Sequence, residues 1–576
     1  MIDLIKLQED IIRHRVSEDY LKFNYDNDYK KVIDPEYDVY EYLHLMPDMD
    51  KGVEILKKNL ENNNTIIGCV DLDQDGLGSG VVIKRILTDL FQHPSDKILI
   101  LPNRRSKGRG FTNFLKNIIV TYKQTKDETT NLVLLADHGI GDEARYKSLK
   151  EMTGMDIILT DHHEVNYDNY PSSCDAVINV HREECKFDRS ICGCCTVFLF
   201  LVYAYWKIKG VKDIHAFKDV LPFVALTTIV DAMPLHTPIN RYLIKLGYKY
   251  MNSSEDVLWN SLAKKYKLGN EILFHHAGGK IGPLFNSGNR MGVETLAYKL
   301  LASTTQEDFD KNFEQMEHIN KIRKTMKREL MEICLKDLEG TDIKSVIIIN
   351  LKTDVGIGGS VAGDVGQMFN RPVIAFNMLK EGDSSYNGSA RCPFEDIRYK
   401  DVMEEIMNEY PGMITNLGGH ANAFGIAIVK ERLDEFKSIV EDKTAKVLSS
   451  IDFNKPLEYE FEILPESLDQ HLCDAVYQCG PYGREFEEPI FLIKDLIIDD
   501  IFIISSFAKL KFKTSNLTTN IIATWFFSKI TKMGINVKNI KQKLHLDDIV
   551  DIYFTIEKSS YGFDIKLIDV VVKGVA

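Results

Sequence analysis

At 576 residues the chain is longer than one hydrophobic core organises, so roughly three or four domains are expected. A hydrophobic content of 44% and a charged content of 27% are those of a globular protein and exclude a fibrous or low-complexity class. The net charge of -14 excludes coating of nucleic acid by overall charge, although a local basic groove remains open to it.

The amino-terminal stretch MIDLIKLQEDIIRHR is amphipathic and charged, unlike a secretion signal. Residues 1–60, with the acidic and aromatic run DPEYDVYEYLHLMPDMD, read as a helical cover. From residue 64 the pattern is strand, turn, helix, repeated. TIIGCV (65–70), KILILP (97–102), LVLLA (132–136), DIILT (156–160) and AVINV (176–180) are short Val/Ile/Leu runs. Such runs suit strands buried on both faces, hence a parallel sheet flanked by helices. Helical patterns near 193–209 and 215–231 complete an α/β domain over 61–260. A segment over 261–344 follows, with a long charged helix at 311–340 that ends in Gly340. SVIIIN (345–350) opens a second, smaller α/β domain to residue 448, and 449–576 is strand-rich, as a small barrel would be.

No run is long and apolar enough for a membrane; the longest, Cys194 to Trp206, is too short to cross one. Ten scattered cysteines then point to free thiols in a reducing cytoplasm. Cys185, Cys192, Cys194 and Cys195 lack the paired knuckles of structural zinc and read as packing at a helix start.

The chemistry collects where strands end. The first ends in DLDQDGLGSG, with Asp71, Asp73 and Asp75; the third in ADHG, with Asp137; the fourth in TDHHE, with Asp161, His162 and His163. The helix near 215–231 ends in IVDAMPL, with Asp231. Open parallel sheets bind ligands outside the carboxyl ends of their strands. Carboxylates crowded there stay ionised only if cations neutralise them. A calcium loop is excluded, because Val82 holds the twelfth position where that loop needs Glu. Oxygen-rich ligation with one or two imidazoles points to Mn²⁺ or Mg²⁺, and this many donors suits two ions. Two such ions about 3.5–4 Å apart serve phosphoester or phosphoanhydride hydrolysis.

Nucleic-acid contacts are less specific in the sequence. PNRRSKGRG places Arg104, Arg105, Lys107 and Arg109 in a turn after the second strand, either tracking a phosphate backbone or forming a solvated loop. Lys321, Arg323, Lys324, Lys327 and Arg328 cover one helix and read first as a solvated face. FAKLKFKT alternates Lys509, Lys511 and Lys513 with apolar residues, a strand with one basic face. Trp525, Phe526 and Phe527 are core or base-stacking, according to which of them faces out.

These motifs resemble the DHH phosphoesterase family, named for the triplet seen here as Asp161-His162-His163. Within it they resemble the RecJ-type branch of single-strand-specific 5′-to-3′ exonucleases. IGPLFNSGNRMG, NGSARC, GGHANAFG and CGPYGREFEEPIF resemble further motifs of that branch, in its order. The resemblance implies a parallel-sheet catalytic domain, a smaller DHH-associated domain and an oligonucleotide-binding (OB) barrel. It implies that Asp73, Asp75, Asp137, His162 and Asp231 ligate two ions, with Asp137 bridging, and that His163 contacts the scissile phosphate while Asp71 assists. Arg290 and Arg391 would bind phosphate; Ser389, Gly418, Gly419 and His420 would hold the nucleic-acid end. It further implies single-stranded DNA as substrate, a single-strand-binding protein or helicase as partner, and a monomer. Alternatives on the same fold are a phosphodiesterase for short oligonucleotides or cyclic dinucleotides, and a non-catalytic replicative-helicase scaffold. The chain departs from the family at Cys69, where many members have a ligating His, and at His138, where they have Asn. These departures mark a diverged member, of the kind carried by phages, and leave one ion with softer or fewer ligands.

Overall fold

Five apolar runs become one sheet. The computed structural model describes residues 2–108, 110–127, 129–353, 356–379, 382–394, 397–451, 457–504, 507–514, 520–526, 540–560 and 562–575. Strands β1 (Thr65–Val70), β2 (Ile98–Pro102), β3 (Thr130–Ala136), β4 (Asp156–Asp161) and β5 (Ala176–Asn179) pair in parallel in the order β2-β1-β3-β4-β5. The order reverses between β1 and β3, which makes a crevice at their carboxyl ends. Ile67, Val133, Leu135, Ile157 and Leu159 are buried among the residues that fill one face. The helix Gly193–Lys209 is apolar almost throughout and its first twelve residues are buried.

Contacts divide the chain into two units. The first comprises Met1–Asn320, Asp474–Glu488 and Lys558–Gly562; the second comprises Lys321–Cys473, Pro489–Glu557 and Phe563–Ala576. The long helix, expected over 311–340, runs Gln306–Leu338 and carries the chain from the first unit into the second. The second unit holds β6 (Ile347–Asn350), β7 (Val373–Phe376), β8 (Ser385–Arg391), β9 (Ile414–His420) and β10 (Ala423–Val429), ordered β6-β7-β8-β10-β9. It also holds most of a barrel built from β11 (Phe461–Glu462), β12 (Phe491–Ile504), β13 (Phe507–Lys513), β14 (Asn520–Phe526), β15 (Asp548–Ser559) and β16 (Gly562–Val575). Pairing of β12 with β15 closes that barrel, which leaves only the two-residue β11 as an edge strand.

Residues ahead of β1 are helical and belong to the first unit: Leu4–Arg15, Glu18–Tyr25 and Met49–Glu61 are its longer helices. Asp48 fastens them to the sheet by accepting from the β5 main chain (Val177 N, 3.0 Å) and from Arg182 (2.8 Å). The segment Asp474–Glu488 is held in the same unit from the helix Pro238–Ser253. There Arg241, fully buried, donates to the carbonyls of Val32, Leu235, Cys479, Gly480 and Pro481, and its guanidinium lies 4.3 Å from the Phe486 ring centre.

One turn further along that helix, Lys245 donates to the carbonyls of Ile33 and Gln478. Burial, and then the neighbouring Arg241 charge, lowers its ammonium to about 7. Between that value and the ordinary 10.5, the unfolded chain binds a proton that the folded chain does not, so stability rises with pH across this window. The urea midpoint of the wild type is therefore expected to increase from pH 7 to pH 9, and Lys245→Met is expected to flatten that rise. The same pH profile in both proteins would remove Lys245 as its source.

Candidate metal centre and nucleic-acid contacts

The strand register places the acids. Val70 of β1 sits opposite Ala136 of β3, and Ala136 opposite Thr160 of β4. The next residue on each strand is Asp71, Asp137 and Asp161, so three carboxylates emerge in a row at the crevice. Asp137 has φ 68°, a left-handed conformation that Asp tolerates better than most residues, and its N–H still donates to the Thr160 carbonyl at 3.0 Å.

The DLDQDG turn then coils back on itself. Asp73 caps the helix Gln74–Arg85 by accepting from Asp75 N at 3.1 Å. Glycine is required at 76, where a Cβ would lie 2.5 Å from the Asp71 main chain. The Asp75 carboxylate turns to the start of the helix Gly193–Lys209 and accepts from Gly193 N (2.7 Å) and Cys194 N (2.9 Å). Position 193 must also be glycine, since a Cβ would lie 2.5 Å from Asp137 Cβ and Oδ1. The helix start thus approaches two carboxylates at main-chain distance, with its positive dipole end toward them.

The DHH triplet divides its labour. Asp161, fully buried, accepts from Ile140 N (3.1 Å), His162 N (2.8 Å), His163 N (3.2 Å) and His163 Nδ1 (2.7 Å). Burial raises its carboxyl, but the His163 charge and these hydrogen bonds hold it well below the usual range. His162 is buried and places Nδ1 3.1 Å from the Ile191 carbonyl, so Nδ1 carries the proton and Nε2 presents a lone pair. That lone pair lies 3.2 Å from Asp137 Oδ1 and 3.8 Å from both Asp75 Oδ2 and Asp231 Oδ2. A carbonyl that fixes the far nitrogen is the usual support of a metal-ligating histidine. His163 is half-exposed. Desolvation lowers it, but the Asp161 charge and hydrogen bond outweigh this and raise it to about 10, so it is an imidazolium at neutral pH.

Three groups of donor atoms, each within 4.8 Å of one another, overlap here: Asp137, His162 and His163; Asp75, His162 and Asp231; Asp71, Asp73 and Asp137. Asp137 and His162 each belong to two of the three. Burial first, and then mutual repulsion, pushes the carboxyls of Asp137 and Asp231 well up; Asp75 rises mainly through burial, with His162 opposing. Asp231 Oδ2 is buried and accepts no hydrogen bond among the described residues. An orphaned carboxylate oxygen among crowded acids with one prepared imidazole fits hard divalent cations. Cys69 does not enter these groups; it packs with Ile67 and Leu135 in the sheet core, where burial pushes its thiol up. Cys192, Cys194 and Cys195 are likewise buried and free. His138 is buried and lowered to about 4, hence neutral.

Around this centre, Asn286 accepts from Gln74 N (3.0 Å) and ties the helix Gly282–Met291, which carries Arg290, to the acidic turn. Arg105 donates from its main chain to the buried Glu294 (2.9 Å) and from its side chain to Asn289 (3.4 Å), while Arg104 and Lys107 lie over the Phe114 ring. Asn103, buried at the base of this loop, clasps it by donating to the Gly110 carbonyl (2.8 Å). Arg109 lies outside the described residues, as does Phe527.

In the second unit, Arg391 and His420 both pair with Ala423, and Ser389 and Gly418 both pair with Gly425, so the four form two adjacent rows of one sheet. Arg391 also reaches the start of the helix Gly358–Phe369, where a Cβ on Gly359 would lie 2.5 Å from its Nη2. Gly419, at φ 129°, adopts a backbone that suits glycine alone. On the barrel, Trp525 is buried and Phe526 exposed. Lys509 faces out beside Phe502, whereas Lys511 pairs with Asp499 at 2.6 Å.

The sequence signal missed the main-chain donors Gly193 and Cys194, the Ile191 carbonyl and the scaffold role of Asp161. Only glycine at 193, next to a short helix-start motif, could have flagged the first of these.

Comparison with known proteins matches each region in turn. The DHH family N-terminal domain matches residues 64–226, the DHHA1 domain residues 343–446, and the RecJ OB domain residues 459–567. The single-stranded-DNA-specific exonuclease RecJ of Haemophilus influenzae is 26% identical over 457 residues, which cover 77% of each chain. Its Escherichia coli counterpart is 24% identical over 459 residues, again 77% of each. The crystal structure of Thermus thermophilus RecJ in complex with Mn²⁺ superposes with a TM-score of 0.73 at 19% identity, covering 99% of this chain and 78% of that one; this likeness is one of fold. The chain therefore carries a DHH family N-terminal domain, a DHHA1 domain and a RecJ OB domain, in this order, on the parallel sheet, the second sheet and the barrel.

Proposed function

We propose that this protein is a metal-dependent exonuclease that removes mononucleotides from single-stranded DNA in the 5′-to-3′ direction, in repair, recombination or replication. The overlapping donor groups around Asp137 carry this reading, in a chain whose relatives are named single-stranded-DNA-specific exonucleases. Two Mn²⁺ or Mg²⁺ ions would be held by Asp73, Asp75, Asp137, His162 and Asp231, with Asp137 shared and Asp71 adjoining. Such ions, when bound, activate water and neutralise phosphoryl charge. The chain's own residues then do the positioning. Asp161 holds both histidines in place, and the Ile191 carbonyl keeps His162 Nε2 unprotonated toward the acids. His163, an imidazolium, donates to a phosphoryl oxygen as charge builds there. In the second unit, Ser389, Arg391, Gly418, Gly419 and His420 would bind the strand's terminal phosphate; in the first, Arg290 would bind a phosphate of the strand. Arg104, Arg105 and Lys107 would track the backbone.

A barrel in addition to the two α/β regions favours a long polymer over a cyclic dinucleotide. A monomer working with a helicase or a single-strand-binding protein, in a cytoplasm that keeps all ten cysteines free, completes the reading. No helix among the described residues is long and apolar enough to cross a membrane.

The test is time-resolved cleavage of a long single strand labelled at either end, with Mn²⁺, Mg²⁺ or chelator. Immediate mononucleotide release from the 5′ label, lost with chelator, is the expected result. Intact long strands beside hydrolysed dinucleotides would replace the exonuclease by a small-nucleotide phosphodiesterase.

A further inference from the structure

The segment Asp474–Glu488 is separated in sequence from the rest of the first unit, yet it packs against the loop that follows Asp231. Gly483 and Phe486 exchange both main-chain hydrogen bonds, at 2.9 and 3.1 Å, and close a turn with Arg484 and Glu485 at its tip. Glu485 sits at φ 58°, a left-handed backbone that side chains other than glycine's rarely adopt. The tip is firmly mounted. Leu235 N donates to the Arg484 carbonyl at 2.9 Å, and Gly483 lies so close to Leu235 that a Cβ would meet its Cδ1 at 2.8 Å. Beneath the turn, Arg241 holds the carbonyls of residues 479–481 and stacks on Phe486. Leu235 follows Asp231 by four residues on the same loop.

This mount presents one cation. The Arg484 side chain is 49% exposed, and its ion-pair partner is the adjacent Glu485 at 3.4 Å. A surface pair of that kind contributes little to stability, so the fold itself does not account for an arginine here. The centre gathers Asp71, Asp73, Asp75, Asp137 and Asp231, all of which repel a polyanion, so a cation mounted near it favours binding of one.

We propose that Arg484 is a strand-binding residue, which receives a backbone phosphate of the single strand beside the metal centre. Its planar, weakly hydrated guanidinium suits a phosphate in a bidentate pose. The turn fixes its main chain, so little order is lost on binding. This inference rests on the exonuclease reading above.

Binding is measured with a 5′-phosphorylated oligothymidylate by fluorescence anisotropy over a salt series, with chelator present so that nothing is hydrolysed. Arg484→Gln is expected to bind roughly fivefold more weakly at low salt, and the slope of log affinity against log salt is expected to fall by about 0.7, the loss of one phosphate contact. Arg484→Lys should keep the slope, and both variants should keep the wild-type melting temperature. With Mn²⁺ added, KM should rise in Arg484→Gln while kcat changes little. A glutamine variant with the wild-type slope overturns the assignment, as does a lysine variant that loses as much as glutamine. If the wild type binds and degrades single strands and Arg484→Gln does the same, only this inference falls. If the wild type neither binds nor degrades them, the exonuclease reading falls with it.

Discussion

Asp137→Asn is expected to lower hydrolysis of single-stranded DNA by at least about a thousandfold in Mn²⁺ or Mg²⁺, roughly the several kcal/mol that metal ions contribute to such reactions. Asparagine keeps the volume and tolerates the left-handed backbone at φ 68°, so the loss is one of charge at the only carboxylate common to two of the three donor groups. The same substitution is expected to raise the melting temperature of metal-free protein. In that state Asp137 is buried and repelled by Asp75, Asp73, Asp71 and Asp231, and a neutral amide relieves the repulsion. Asp137→Ala should be equally inactive, though less stable than the asparagine variant because alanine fits the left-handed region poorly. Single-turnover cleavage and calorimetry with and without metal separate the two effects. Turnover within tenfold of wild type would rule out Asp137 as a shared ligand.

The second large effect is on stability. Arg241→Ala removes one donor group from five buried carbonyls and takes the guanidinium off the Phe486 ring. Each carbonyl left dry costs on the order of 1–3 kcal/mol. Relaxation and water entry recover part of that, so a net loss of about 3–5 kcal/mol is expected. Lysine should restore less than half, because an ammonium cannot span donors that a planar fork reaches. The consequence is local before it is global: the segment Asp474–Glu488 should be cleaved early in limited proteolysis, and affinity for single strands should drop along with the Arg484 contact. A variant as resistant to protease and heat as wild type would mean that other contacts hold this segment.

How far this could be read from the chain differs from feature to feature. The acids at strand ends were legible because a buried parallel strand is an unbroken apolar run, and a carboxylate at its close stands out. The runs at 65–70, 132–136 and 156–160 became β1, β3 and β4 within two residues. The long helix was legible from its charged, helix-favouring stretch, although the structure starts it five residues earlier, at Gln306. The supports of the site were not legible. Gly193 N, Cys194 N and the Ile191 carbonyl are main-chain atoms, which any residue would supply, so no side chain announces them. Asp161 looked like one more acid of the cluster; only its four hydrogen bonds reveal a carboxylate spent on holding imidazoles. Among the barrel aromatics, which of Trp525 and Phe526 faces outward depends on strand register, and a shift of one residue would exchange them. The mount of Arg484 was invisible for another reason: the carbonyls of Cys479, Gly480 and Pro481 that Arg241 holds lie about 240 residues from it along the chain, beyond the reach of any local pattern.

The path of the backbone between the two units has its own consequence. It crosses from one to the other five times, at 320/321, 473/474, 488/489, 557/558 and 562/563. A recombination event that exchanged the barrel as a block would carry away Asp474–Glu488 and leave Arg241 facing vacated carbonyl sites. A barrel grafted from a relative is therefore expected to fold onto this sheet's unit only if it brings a 474–488 stretch that matches Arg241, Lys245 and Leu235.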